Sequence, residues 1–311
     1  MKKNSLLTAI AFVIAITMVA FSSCCDHYYE IIVPPATEKV AVKFSSNIVT
    51  MGSNLRMAGN TWDAEDAIGV YMLEKESTTE VENTSNVEYI TETGGQTSAF
   101  KAKDKIIYYP DNDSEVRFMS YYPYKESIID AVYKVDISTQ TNQSSIDFLY
   151  SFNIGKTYKK TTASSVIPLV FDHKLTKVLI NVKPGTGLAT SDIDDINVYF
   201  SGLNTTADFN LKNGTLSNPS NTKNITPLTV MPVSGYTFSS ESIILPMATI
   251  PTGAKIVFEL LNGSIFIWDF NMTLNAATKY TYNVTINRTG IEVEATINDW
   301  INGGDADVNA E

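Results

Sequence analysis

"AKIVFELLNGSIFIWDF", residues 254–270, decides the fold. Two short runs of β-branched and aromatic residues flank Asn262-Gly263. That pair is preferred in a type I′ turn, so the stretch is predicted to be a β-hairpin. Downstream, "KYTYNVTINRTGIEVEATINDW" (279–300) repeats the signal. Tyr280, Tyr282, Val284 and Ile286 alternate with polar partners, and so do Ile291, Val293, Ala295 and Ile297. Upstream, "KVLINV" puts Val178, Ile180 and Val182 on one face, and "DINVYFSG" does the same with Ile196, Val198 and Phe200. "DAIGVYML" and "SEVRFMSYYPY" are short apolar and aromatic runs bounded by turn formers. "KVAVKFSSNI" (39–48) alternates Val40, Val42 and Phe44 against Ala41, Lys43 and Ser45.

After residue 25 no window sustains a 3.6-residue apolar period over three turns. Many short strands separated by turn formers indicate an all-β chain of antiparallel β-sandwiches. The chain is too long for one sandwich of about 100 residues, so two domains in tandem are expected. The polar stretch "GKTYKKTTASS" (155–165) supplies the break, giving an N-terminal domain over 38–160 and a C-terminal domain over 161–311. A second polar stretch, "LSNPSNTKNITP" (216–227), is expected to be a loop within the second domain.

The N-terminus is an export signal. Lys2 and Lys3 precede an uncharged run from Leu6 to Phe21, and Ser22 and Ser23 lead into Cys24. Residues 1–23 resemble a bacterial lipoprotein signal, with the Cys24 thiol receiving the lipid and becoming the new N-terminus. An uncleaved N-terminal anchor, or acylation of Cys25, are the alternatives. Vicinal cysteines make a poor disulfide, because their Cα atoms lie only about 3.8 Å apart, and the chain has no third cysteine. Residues 24–37, with Pro34 and Pro35, form a tether. Cleavage before Cys24 removes two lysines and no acid, which takes the net charge from −11 to −13. So acidic a chain offers no electrostatic footprint for nucleic acid.

Groups for catalysis do not cluster. His27 lies in the tether, and His173 is the sole histidine of the folded part, which excludes a His-ligated metal cluster. His173 has no nucleophile elbow near it and is expected to be structural. "DNDSEV" (111–116) resembles a calcium loop, but Val116 stands where glycine is needed, so a surface turn is expected. "DIDD" (192–195) is expected to be a solvated loop tip. "IIYYP" and "SYYPY" are expected to supply core aromatics, with a carbohydrate-stacking platform as the alternative. No catalytic residue, cofactor or metal is assigned.

Four segments behind the lipoprotein signal carry a resemblance: "TWDAEDAIGVYM" (61–72), "IYYPDNDSEVRFMSYYPY" (107–124), "LVFDHKLTKVLINV" (169–182) and "VEATINDW" (293–300). In this order they resemble the fimbrillin family of the Bacteroidota, the FimA-like and Mfa-like type V pilins. The resemblance spans nearly the whole mature chain. It implies a lipoprotein precursor with two transthyretin-like β-sandwich domains, carried to the outer membrane and then to the cell surface. It implies that an arginine-specific protease removes the first strand, and that a donor strand of another pilin subunit fills the groove. Mapped onto this sequence, the removable plug strand carries Val40, Val42 and Phe44. The processing site is Arg56, the only arginine before Arg117. The C-terminus departs from the stalk-pilin pattern, since "INGGDADVNAE" offers only Ile301 and Val308 as sizeable apolar residues. The subunit therefore accepts a strand and donates none, as a tip or accessory component, or donates "GIEVEATIN" instead. The competing class is a monomeric surface lipoprotein that binds glycans or other ligands.

Overall fold

The computed structural model describes residues 38–48, 61–153, 155–163 and 165–299. Cys24 and Arg56 therefore lie outside the described residues. Seventeen strands and two three-residue 3₁₀ turns make up the described chain, which contains no α-helix. The chain is all-β, as its two-residue periodicity requires.

Seven strands close a barrel, in the order β1 (Phe44–Ile48), β4 (Thr97–Ala102), β3 (Val87–Thr91), β2 (Ala67–Glu74), β5 (Val116–Tyr122), β7 (Leu149–Phe152) and β8 (Ile167–His173). Its core includes Phe44, Trp62, Ile68, Met72, Phe118 and Leu169. One further sheet runs β11 (Thr215–Ile225), β10 (Asn197–Asn210), β14 (Lys255–Glu259), β15 (Ile265–Asp269), and β6 (Val132–Asp136) also pairs with β10. Another runs β12 (Leu228–Val230), β13 (Phe238–Ile244), β9 (Thr176–Pro184), β16 (Thr278–Asn287), β17 (Gly290–Asp299). These two sheets share a second core, which includes Phe200, Phe258, Val178, Tyr282 and Ile286.

β2 and β5 are buried on both faces. Ile68, Val70 and Met72 enter the barrel core, while Tyr71 and Leu73 enter the second core with Met119 and Tyr121. A strand covered on both faces has no polar face to alternate with, so "DAIGVYML" is a continuous apolar run. The polar break at 155–165 falls between β7 and β8, both members of the barrel; the chain makes one excursion from the barrel at β6 and leaves it for good at the β8–β9 turn.

Three local expectations are corrected. The 254–270 hairpin is present as β14 and β15, but its turn is not type I′. Leu260 O accepts from Gly263 N at 2.9 Å, and only Gly263 has positive φ, at 81°. Asn262, which has no positive φ, instead accepts from Ser264 N at 2.9 Å in an Asx turn. This is a type I turn closed by a left-handed glycine, the common three-residue hairpin loop. The polar stretch 216–227 is mostly strand β11, not loop. β11 is an edge strand, exposed along most of its length. It needs no apolar alternation, because side chains such as Thr206, Thr222 and Asn221 bond along and across it. Pro219 is tolerated where the β10–β11 register shifts between Thr206 and Asp208. Finally, the pairing is not wholly antiparallel. β1 runs parallel to β8, and β9 parallel to β16, partners far apart in sequence with no hairpin to force them antiparallel.

Candidate functional site: the first strand and its slot

The short segment 40–48 has the most unusual surroundings in the barrel. Ala41 bridges to Tyr108, Val42 N donates to Ile107 O at 2.9 Å, and Tyr109 N donates to Val40 O at 3.0 Å. From Phe44 the segment becomes β1, antiparallel to β4 and parallel to β8, with Phe44 opposite both Phe100 and Ile167. Ile167 N donates to Lys43 O at 2.8 Å. A removable strand is expected at a sheet edge, paired on one side; the structure instead seats β1 between two partners, where it closes the barrel.

The alternation orients the side chains. Val42 and Phe44 are buried, Val40 packs half-buried against the same core, and Lys43 is exposed. The Phe44 ring meets Tyr89 and Phe118 edge-on, at centroid distances of 5.1 and 5.0 Å. Edge-to-face contacts of this kind add to the burial of the ring. Tyr89 is fixed in turn by Ile107 N, which donates to its hydroxyl at 2.9 Å. Ser46 is also buried, and its Oγ accepts from Ser98 N at 3.1 Å. Sequence reasoning found the three apolar positions of this segment and missed Ser46. A small polar residue at the fourth inward position was the available signal.

Without residues 40–48, β4 and β8 would each present an unpaired edge over an apolar slot floored by Tyr89 and Phe118. Such a slot strongly favours addition of a strand. Towards the C-terminus, β17 pairs among the described residues on one side only, with β16. Its inward face fades along its length: Ile291 and Val293 are half-buried, while Ala295 is exposed and Ile297 is 56% exposed.

The remaining sequence candidates are absorbed by the fold. His173 Nδ1 lies 2.8 Å from Asp147 Oδ1, with both residues buried at the end of β8. Asp113 accepts from Thr161 N and Oγ, both at 2.8 Å. These hydrogen bonds hold its carboxyl below the ordinary 3.8. Asp192 accepts from Ala189 N at 2.7 Å and caps a 3₁₀ turn. Ile107, Tyr109, Tyr121 and Tyr122 are buried, so "IIYYP" and "SYYPY" supply core rings, not an exposed stacking platform. Burial pushes the Tyr109 hydroxyl up to about 12 and the Tyr121 hydroxyl higher still. Among the described residues no group of three or more His, Cys, Asp or Glu is placed to hold a metal, and no helix is long and apolar enough to cross a membrane.

Comparison with known proteins gives a consistent picture. Residues 56–300 match the family model described as fimbrillin-like. A protein of Bacteroides uniformis named "Putative fimbrium subunit Fim1C" is 32% identical, the alignment covering 100% of both chains. The crystal structure of a "putative cell adhesion protein" from Bacteroides uniformis superposes with a TM-score of 0.70 at 31% identity, covering 86% of this chain and 99% of that one. A second cell adhesion protein so described, from Bacteroides ovatus, shares the fold with a TM-score of 0.66 at 22% identity, over 85% of this chain and 99% of its own.

Proposed function

This chain belongs to the fimbrillin-like family and is a fimbrial or adhesion subunit of the cell surface, not an enzyme. From that premise we propose that it is assembled by strand replacement at the slot that β1 occupies. The observation that supports this is the seat of residues 40–48. They bury Val42 and Phe44, pair on both sides, and are joined covalently to the rest of the barrel through the segment that carries Arg56.

In this reading the chain is exported with residues 1–23 as signal and is lipidated on Cys24. Residues 24–37 tether it to the outer membrane as a lipoprotein precursor. The folded part is two transthyretin-like domains, and the boundary expected at 160/161 moves to the β8–β9 turn, so that β8 stays with the N-terminal domain. An arginine-specific protease hydrolyses the bond after Arg56. The strand bearing Val40, Val42 and Phe44 is then exchanged for a donor strand of another pilin subunit. β17, paired on one side and half-seated on its core, fits the donor role better than the glycine-interrupted tail beyond it. A subunit that keeps β17 in place would accept a strand without donating one, as at a fimbrial tip.

The test is size-exclusion chromatography of the mature chain, in an Arg288→Lys background that removes the exposed arginine of the β16–β17 turn, before and after arginine-specific proteolysis, beside Arg56→Ala. The cut wild type should lose residues up to Arg56 and form higher-order species with intact subunits, while Arg56→Ala stays monomeric. A cut chain that sheds its first strand and remains a stable monomer beside intact subunits defeats strand replacement.

A further inference from the structure

Strand replacement needs the slot to keep its width once β1 has left. β4 and β8 are each hydrogen-bonded to β1, and among the described residues they form no ladder with each other. Loss of β1 therefore removes both ladders that hold the slot at its width.

Trp62 spans the same two strands from inside the barrel. Its indole meets Phe100 of β4 edge-on at 5.6 Å and Phe171 of β8 at 5.3 Å. A third edge contact, at 5.4 Å, ties it to Tyr122 of β5. None of these rings belongs to the first strand, whose Phe44 packs on Tyr89 and Phe118 instead. Trp62 also lies on the retained side of Arg56, six residues beyond it. Its backbone is fastened to the β3–β4 turn: Trp62 N donates to Gly95 O at 2.8 Å and Gly95 N to Trp62 O at 2.9 Å. The turn comes so close that a Cβ on Gly94 would sit 3.0 Å from Trp62 O. The indole is 2% exposed, and its Nε1 has no hydrogen-bond partner among the described residues. The ring is thus held by packing against the walls of the slot.

We infer that Trp62 is a positioning residue for assembly, a strut that keeps β4 and β8 apart at strand-accepting width after the first strand departs. This rests on the strand-replacement reading. Removing the indole costs the uncut chain core packing, but it costs the emptied barrel the cross-link between its two open edges. The strut therefore affects strand acceptance beyond its effect on folding.

The experiment uses the full mature chain in an Arg288→Lys background, cut after Arg56. A fluorescent peptide of residues 38–50 is exchanged into the slot and its binding read by anisotropy. Wild type should bind the peptide, and Trp62→Leu should bind it at least tenfold more weakly. Trp62→Phe should recover most of the loss. Trp268→Leu, half-buried against the other core, should bind as wild type. Equal binding by Trp62→Leu and wild type, or equal weakening by Trp268→Leu, overturns the strut. Failure of wild type itself to bind overturns strand replacement, and the strut with it. A measurement independent of the folding of Trp62→Leu uses a chain with Trp268→Phe and Trp300→Phe, in which Trp62 is the only tryptophan. Its emission should stay that of a buried indole while the cut strand is displaced in mild urea. A shift to the emission of a water-exposed indole at that stage also overturns the strut.

Discussion

Truncating Phe44 to alanine tests whether the first strand holds the barrel together. Phe→Ala in a core costs roughly 3–5 kcal/mol, and the site's ability to collapse sets the place within that range. Phe44 is 1% exposed. Its neighbours have little freedom to fill the void. Tyr89 is tied through its hydroxyl to the backbone of Ile107, and Phe118 lies fully buried in β5, between β2 and β7. The loss should therefore fall in the upper half of the range, about 4–5 kcal/mol. That is a large part of the roughly 5–15 kcal/mol that stabilises an ordinary domain. Lys43→Ala, one residue away on the exposed face, should change stability by no more than about 0.5 kcal/mol. Urea unfolding of the uncut chain with Trp268→Phe and Trp300→Phe, followed by the fluorescence of the buried Trp62, reads the difference. With a slope near 2 kcal/mol/M, Phe44→Ala should lower the barrel midpoint by about 2 M and Lys43→Ala hardly at all. After cutting, the same 4 kcal/mol should weaken retention of the strand about 10³-fold, since each 1.4 kcal/mol is tenfold. Equal midpoints for the two variants would show that β1 is an ornament of the barrel and refute the plug.

Three further outcomes are expected. Mass spectrometry of the membrane fraction should find a lipid-modified Cys24 at the N-terminus, and Cys24→Ala should abolish it; an unmodified N-terminus elsewhere refutes the signal reading. Lys177 and Glu241 form a buried ion pair at 2.9 Å. Lys177→Met strands the carboxylate and should cost about 3–5 kcal/mol, with much of it recovered by adding Glu241→Leu; calorimetry that finds the single variant as stable as wild type refutes this. Asp113 is held below its ordinary range by Thr161, so the contact stabilises the folded loop above the ordinary pKa and is lost as pH falls through the lowered one. The protection factor of the Thr161 amide, taken relative to its intrinsic exchange rate at each pH, should fall on acidification in wild type and show no such step in Asp113→Asn; identical profiles would refute the assignment.

What was legible follows from the physics of each element. Strands with one wet face announced themselves by alternation, as in β16, where Tyr280, Tyr282, Val284 and Ile286 are buried and their neighbours are not. The inward positions Val42 and Phe44 were legible for the same reason. β11 was not, because an edge strand bonded through Asn, Ser and Thr side chains has the composition of a loop. The second partner of β1 was also beyond the pattern. Alternation says which side chains turn inward, not whether one or two strands flank the backbone, and a parallel partner more than a hundred residues away leaves no local trace. Trp62 sits in a segment that the family resemblance quotes, yet nothing in "TWDAED" marks it as a bridge between β4 and β8. That role exists only once the barrel brings Phe100 and Phe171 within reach of one ring.

The geometry also limits the order of events at the slot. The contacts described for the first strand lie between Lys39 and Ile48, whereas Arg56 follows eight residues after Ile48. Hydrolysis there breaks a covalent tether and none of those contacts. The burial of Val42 and Phe44, roughly 1.5–3 kcal/mol each, remains after the cut, as do both ladders. The cut strand should therefore stay bound until an incoming strand takes its contacts over pair by pair. The cut strand would keep the slot closed to wrong partners, and a partner would enter only by matching the inward positions as it advances. This makes cutting a licence for assembly and not its driving force. A peptide of residues 38–50 with Val42→Asp and Phe44→Asp should fail to displace the resident strand at concentrations where the unaltered peptide does. Equal displacement by both peptides would mean that the strand leaves on its own before any replacement arrives.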